Sequence, residues 1–419
     1  MKVKLAYGRE GLEIELPDDV RIISPKNVPG LEDESAAIRN ALRNPIESPP
    51  LSNLVHPGQK VVVAHSDITR ATPNSRLLPV ILEEIENAGI RREDITLLNA
   101  LGTHRQHTEE EMRNLLGDWL IQNYRCEQHN AFDDQNLVPL GVTNLNHPIR
   151  LNHNLVEADI IILTGFIEPH LYAGFSGGPK CILPGLAGAE SVITNHSIEM
   201  IGHPNARYGV TYGNPLWEEM LDFAKRLKHT FLVNVTLNAS QQITNVFAGD
   251  LEHAHRTGCE FVRTNAMTRV DGYFDVVLTT NSGFPLDQNL YQCAKGMVAA
   301  EAIVRPSGAI LVAAACQDGI PSGSHYEQLI KKAGSLEGIE KMLAQPGFNA
   351  PDQWMLQIQA RIQRKADVYV FSEGLSDQEI LQTLFIPSGN IEWCIARLQE
   401  KYGNNICVLP EGPQVIAYQ

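Results

Sequence analysis

No apolar run in the 419 residues comes near the roughly 18 needed to cross a bilayer as a helix, so a membrane-embedded protein is not expected. The opening stretch MKVKLAYGREGLEIEL alternates polar and apolar residues about a turn, where a signal peptide would carry an apolar centre; the expected location is the cytoplasm. Runs rich in Lys and Arg are missing too. With 34 basic residues against 49 acidic ones, the net charge of -15 argues against nucleic acid or an anionic membrane as a partner, and any anionic substrate must find a local basic pocket. The seven cysteines are scattered, odd in number and free of any CxxC pair, so neither a disulfide framework nor a thiolate zinc site is indicated. There is no HExxH, no GxxxxGK followed by Ser or Thr, and no GxGxxG after a strand, so the common zinc-protease, nucleotide-triphosphate and dinucleotide signatures are all absent.

What is present is an alternation of short apolar runs with amphipathic segments. KVVVAHS precedes SRLLPVILEEIENAG, DITLLNA precedes TEEEMRNLLG, and FDVVLTT precedes DQNLYQCAKGMVAAEAIV; ADIIILTG, FLVNVTLN, GAILVAAA and ADVYVFS are further strand candidates. Buried β-branched runs alternating with helices predict an α/β fold with mainly parallel or mixed sheets. The length exceeds one comfortable core and predicts two such domains, residues 1–268 and 269–419. Polar residues gather at strand ends: HSDITR after VVVA, GTHR after ITLLNA, GFIEPH after DIIILT, and NSGFPLDQNLYQ after DVVLTT. Ligands of open α/β sheets bind outside the carboxyl ends of strands. The active site is therefore expected there, in a cleft between the two domains.

Each polar motif has a bland and a chemical reading. AGFSGGPK offers the backbone amides of Gly177 and Gly178 and the amine of Lys180 as an anion cradle, or is a glycine turn with a solvated lysine. His104, His170 and His196 each stand in or beside a glycine-containing polar segment, and imidazole is both the acid/base of neutral pH and the commonest metal ligand. His107 reads as part of a helix entry, with Thr108 and Glu111 at capping-box spacing. Asp67 and Arg70 form a local ion pair, or Arg70 is a planar fork for a substrate carboxylate. Gln292 and Lys295 share a helical face that is too polar for a core, and Trp354 is either a core anchor or a flat partner for a ring.

Taken together, DITR (67–70), GTHR (102–105), EPHLYAGFSGGPK (168–180), TNH (194–196) and PLDQNLYQCAK (285–295) resemble the nickel-dependent lactate racemase family, in order and with the spacing from His170 to Lys180 to His196 kept. The resemblance implies an isomerase that inverts C2 of lactate or a related 2-hydroxy acid. It implies a nickel pincer nucleotide, pyridinium-3,5-bisthiocarboxylic acid mononucleotide nickel, tethered through a thioamide to Lys180, with His196 as the protein ligand to nickel. It further implies that His104 and His170 are the two acid/base groups and that Arg70, Gln292 and Lys295 hold the hydroxy acid. Trp354 then stacks on the pyridinium, and Asp67 and Ser176 contact the cofactor's ribose or phosphate. Tyr172, Phe175, Phe284 and Tyr291 are near enough in sequence to line the substrate pocket. Separate maturation proteins build the cofactor in such systems and are the implied partners; oligomeric state has no signature in the sequence.

The chemistry is coherent without the family. Inverting a carbon that bears hydroxyl, hydrogen and carboxylate by proton abstraction would place a carbanion beside a carboxylate. Removing hydride while a histidine takes the hydroxyl proton gives a planar 2-keto acid instead, and return to the other face inverts the centre. Two rival readings are a zinc-type hydrolase or lyase, which leaves Lys180 and Gln292 idle, and a non-enzymatic nucleotide- or anion-binding module, which leaves two histidines unexplained.

Overall fold

A computed structural model describes residues 1–321 and 323–419. The chain forms two compact units: Asn27–His196 with Gly202–Thr264, and Met1–Lys26 with Ser197–Ile201 and Asn265–Gln419. Both are α/β, each built on a six-stranded sheet.

In the first unit the strands are β1 (Val61–Ser66), β2 (Ile95–Ala100), β3 (Arg125–Gln128), β4 (Ile160–Phe166), β5 (His229–Leu237) and β6 (Ile243–Gly249), in the order β6-β5-β4-β1-β2-β3. All neighbours are parallel except the hairpin β5–β6. Every residue of β4 is buried, as a central parallel strand with both faces covered requires. Helix α1 (Asn74–Asn87) returns from β1 and buries Leu77, Leu78, Ile81, Leu82 and Ile85 on the face that the 3.6-residue period predicts. Helix α2 (Glu109–Leu116) follows β2 and opens with the expected box: the Thr108 hydroxyl accepts the Glu111 amide and the Glu111 carboxylate accepts the Thr108 amide. Farther along come α3 (Ala189–Asn195), α4 (Pro215–Lys225) and α5 (Leu251–Ala266).

The second unit has β7 (Phe274–Thr280), β8 (Val304–Ala313), β9 (Ala366–Phe371), β10 (Ile386–Pro387) and β11 (Ile406–Leu409), all parallel, in the order β10-β9-β8-β7-β11, with Arg21–Ile22 added at the β11 edge. The N-terminal segment forms the hairpin that its alternation suggests, Lys2–Leu5 against Leu12–Glu15. Two helices matter below, α6 (Ala294–Glu301) and α7 (Gln353–Lys365).

One expected helix is much shorter than its pattern. DQNLYQCAKGMVAAEAIV is helical only over α6, and residues 284–293 are turns. Side chains here compete for the backbone. Asp287 Oδ2 accepts the amides of Gly8 and Ala315 at 2.7 and 3.0 Å, and Asn289 Oδ1 accepts the Gln292 amide at 3.1 Å. Gln292 and Lys295 are thus one turn residue and one first-turn residue, not neighbours on one helical face.

Three histidines of the first unit, His65, His129 and His255, are wholly buried, and burial pushes each down to about 4. His129 and His255 each donate one Nε2–H, to the Ala187 carbonyl at 3.0 Å and the Ser176 carbonyl at 2.9 Å. Once unfolded, each ring returns to an ordinary value of about 6.5, so between about 6.5 and 4 the unfolded chain binds protons that the native chain does not. Stability is then full above that window and is lost as pH falls through it, by up to about 1.4 kcal/mol per histidine per pH unit. The urea midpoint is expected to be clearly lower at pH 5 than at pH 7; equal midpoints would mean that the rings carry protons in the native state.

Candidate active site

Strands β2, β1 and β4 are neighbours in one sheet, and the three loops at their carboxyl ends carry most of the motif residues. After β1 the chain turns through Asp67, Ile68, Thr69 and Arg70. Asp67 is buried, and its Oδ2 lies 2.6 Å from Nδ1 of His104 on the loop after β2. Its Oδ1 accepts the Thr69 hydroxyl at 2.7 Å and the Thr69 amide at 3.2 Å. Burial alone would raise the Asp67 pKa, but the hydrogen bond and charge of His104, together with Arg70 and Thr69, outweigh it and hold the carboxyl at about 2. An anionic Asp67 fixes the proton of neutral His104 on Nδ1 and leaves the lone pair on Nε2, on a side chain that is 48% exposed. Buried carboxylate, ring and outward lone pair form the arrangement of a general base with its orienting group.

The loop after β4 makes a short ladder, Pro169–His170 against Gly174–Phe175, with Tyr172 in its bend. The Tyr172 ring is the hub of three motif residues. It meets the His170 ring edge-on at 4.6 Å between centroids and the His196 ring edge-on at 5.2 Å, and the Lys180 Nζ lies 5.8 Å from its centre. His170 Nδ1 accepts the Ala173 amide at 3.2 Å, so the proton of the neutral ring sits on Nε2, the reverse of His104. His196 closes α3: its amide and its Nδ1–H both donate to the Val192 carbonyl, at 3.0 and 3.1 Å. Its lone pair is therefore on Nε2, and burial, aided by the charge of Lys180, pushes the pKa down to about 3.

The glycines have a local reason. Gly177 and Gly178 take φ of +75° and +57°, and a Cβ on them would fall 2.4 Å from Asn234 Oδ1 and 2.5 Å from the His255 ring. Asn234 Oδ1 also accepts the Gly178 amide at 2.8 Å. Ser176 donates its hydroxyl to the Phe166 carbonyl and accepts the Glu168 amide, both at 2.9 Å, which ties the ladder to the end of β4. The loops are joined to one another as well. The Gly102 amide donates to the Gly185 carbonyl at 2.8 Å, and a Cβ on Gly165 would lie 3.7 Å from Ser66 Oγ and 3.9 Å from Gly177 Cα. Asp67, His104 and the Lys180 loop thus belong to one edge of one sheet.

In the second unit, Trp354 on α7 donates its indole N–H to the Tyr291 hydroxyl at 3.1 Å, and Tyr291 donates onward to Asp352 Oδ1 at 3.1 Å. These two residues, far apart in sequence, form one aromatic assembly that includes Tyr326, edge-on to Tyr291 at 5.7 Å. One turn beyond Trp354, Gln357 donates to the Ile198 carbonyl at 2.8 Å, in the five-residue segment that follows His196.

Sequence reasoning missed several supports. Asn234 had a faint signal, one amide within the apolar run FLVNVTLN; His255 had none. Glu219 on α4 was also missed. It is a buried carboxylate that accepts the Thr143 hydroxyl at 2.8 Å, His147 Nδ1 at 2.8 Å and the side chain of Asn195, next to His196, at 2.9 Å.

The full chain overlays the structure of the lactate racemase apoprotein from Thermoanaerobacterium thermosaccharolyticum with a TM-score of 0.93, at 34% identity and with 100% of each chain covered. By sequence, the lactate racemase of that organism is 34% identical over 423 aligned residues, covering 99% of this chain and 98% of that one. The chain belongs to the lactate racemase family. Residues 7–209 match the family's N-terminal domain and residues 271–417 its C-terminal domain. The lactate racemase of Lactiplantibacillus plantarum is likewise 34% identical, with 91% of each chain covered. A crystal structure of a Thermotoga maritima protein, at 18% identity and a TM-score of 0.71 over 94% of this chain and 99% of that one, shares the fold. As a lactate racemase family member the protein is an isomerase, and the α/β architecture expected from the sequence is the family's own. Among the described residues, no helix is long and apolar enough to cross a membrane.

Membership of this family implies a cofactor, and the residues fit the nickel pincer nucleotide in two respects. His196 is buried, kept neutral, and has its Nδ1–H committed to a carbonyl, the tautomer and the orienting device that a ligating imidazole uses. Lys180 brings an amine to the same aromatic ring that His196 touches.

Proposed function

We propose that the protein racemises or epimerises C2 of a short 2-hydroxy acid, with lactate as the first candidate because it is the substrate named for both relatives. The observation that carries this reading is the pairing of the Asp67–His104 dyad, a buried carboxylate behind an exposed ring, with the trio His170, His196 and Lys180 about one tyrosine ring. When bound, the nickel pincer nucleotide supplies a reversible acceptor for the hydride on C2.

The chain does the rest. Lys180 anchors the cofactor and His196 Nε2 ligates its metal. Arg70, Gln292, Lys295 and Tyr291 hold the hydroxy acid, and Trp354 provides the flat surface for the pyridinium ring. His104 Nε2 takes the hydroxyl proton of one enantiomer, and the anionic Asp67 stabilises the imidazolium that forms. His170 serves the hydroxyl when it lies on the other side. Between the two events the substrate is a planar 2-keto acid, which can be reduced from either face. Ser176, Gly177 and Gly178 shape the turn that delivers Lys180. A zinc hydrolase would need three or more protein ligands, and among the described residues no group of three or more His, Cys, Asp or Glu is placed to hold a metal. We further assign the protein to the cytoplasm, where its maturation partners would meet it.

The test is chiral chromatography of D-lactate, L-lactate and longer 2-hydroxy acids incubated with nickel-loaded protein that carries the cofactor mass. The expected result is the same equal mixture from either pure lactate enantiomer. If loaded protein converts no 2-hydroxy acid, the reading is wrong.

A further inference from the structure

His107 looks at first like a helix-entry residue, yet its ring is buried and its Nε2 edge faces the loop after β1. The Ile68 amide donates to His107 Nε2 at 3.3 Å. That bond needs a lone pair on Nε2 and so puts the ring proton on Nδ1, which lies 3.9 Å from Glu111 Oε2. Burial lowers the pKa of His107, which keeps the ring in this neutral, accepting form. The backbone on either side is clamped. Gln128, the last residue of β3, accepts the His107 amide at 2.7 Å and donates to the His107 carbonyl at 3.0 Å. Arg105 meets Glu111 through two bonds of 2.7 and 2.6 Å, and Glu111 also closes the capping box. The histidine is therefore a fixed post that stands on β3 and on the start of α2.

The loop after β1 is joined to the loop after β2 at two points: Asp67 Oδ2 to His104 Nδ1, and the Ile68 amide to His107 Nε2. A single link leaves a hinge about which the carboxylate can swing. Two links at successive residues fix the orientation as well as the distance. Asp67 and Arg70 both ride on this turn, whose own bonds are local: the Arg70 amide to the Asp67 carbonyl and Thr69 to the Asp67 side chain. Nothing within the turn sets its angle to the His104 loop.

We propose that His107 is a positioning residue, whose Nε2 accepts the Ile68 amide and thereby holds the Asp67–Arg70 turn in register with the His104 ring. The inference rests on the assignment of His104 as an acid/base group, but the bond itself can be tested apart from that assignment.

Three variants of the cofactor-loaded enzyme make the test. His107→Gln can bring an oxygen close to where Nε2 stood; His107→Asn is polar but too short; His107→Leu fills the space without an acceptor. Hydrogen exchange at the Ile68 amide, read by mass spectrometry of peptides covering residues 66–70, reports the bond directly. Racemisation kinetics in both directions report its consequence. Loss of protection at Ile68 is expected in the Leu and Asn variants but not in Gln, with kcat/KM down about a hundredfold in Leu and Asn, the scale of an ångström-level misplacement, and back to within a few-fold of wild type in Gln. Protection and kcat/KM that stay at wild-type levels in both Leu and Asn would overturn the proposal. So would equal losses in all three, since a merely structural role would follow ring volume and not the acceptor. If His104→Ala stays active, the base assignment falls, while exchange at Ile68 still decides whether the bond exists. The Asn variant also covers the case in which Leu fails to fold.

Discussion

Lys180→Arg is expected to yield a folded protein that acquires no cofactor mass and shows no measurable racemisation. The backbone at this position is held independently of the side chain: the Lys180 amide donates to the Gly177 carbonyl at 3.3 Å, and its carbonyl accepts the Gly185 amide at 3.2 Å. An arginine can keep those bonds and the positive charge beside Tyr172. It cannot replace the amine, because a guanidinium has a pKa above about 12 and stays protonated, with no nucleophilic lone pair for an acyl-type linkage. Intact-mass measurement on protein matured alongside the wild type, followed by the chiral assay, decides the matter. A Lys180→Arg enzyme that turns over would remove the covalent anchor from the mechanism. The paired control, His196→Ala, should keep the adduct but lose nickel, because the proposed mechanism gives the amine and the imidazole Nε2 separate tasks.

The second large effect is expected at Asp67. Asp67→Asn should cut kcat/KM by about 10²- to 10⁴-fold in both directions, the range spanned by general acid–base catalysis and by loss of an orienting carboxylate. Two losses combine. The imidazolium formed on His104 loses the buried anion 2.6 Å from Nδ1. The new amide can also donate to Nδ1, which moves the ring proton to Nε2, where the lone pair is required. Folding should change little, because the amide oxygen can still accept from Thr69. Steady-state rates from each enantiomer beside a thermal melt make the measurement; rates within threefold of wild type would show that Asp67 does not serve His104.

Much of this was legible in the sequence because strand ends and glycine turns leave local marks. The apolar runs ending in HSDITR, NA and LTGF are β1, β2 and β4, and the Thr108 to Glu111 spacing closes the box it suggests. The partner of Asp67 was not legible. Its nearest cation in sequence is Arg70, yet the hydrogen bond goes to His104, across two adjacent strands. Nor could periodicity foresee that α6 starts only at Ala294, since the turn before it is made by the side chains of the buried Asp287 and of Asn289 reaching distant or neighbouring amides. The hub role of Tyr172 was hidden for a related reason: a tyrosine between two motif residues packs in most proteins, and only the bend at 171–173 turns its ring toward three of them at once. Strands β3, β6 and β11 gave no clear run: β3 and β11 are only 4 residues each, and Thr244 and Asn245 interrupt the apolar run of β6.

The five residues Ser197–Ile201 carry a consequence for engineering. The polypeptide leaves one unit at His196 and rejoins it at Gly202, so no single cut separates the halves into independently expressible pieces. A split enzyme or a domain transplant would have to sever the stretch of chain adjoining His196, and a shuffled hybrid would inherit that pentapeptide from one parent while its surroundings came from the other.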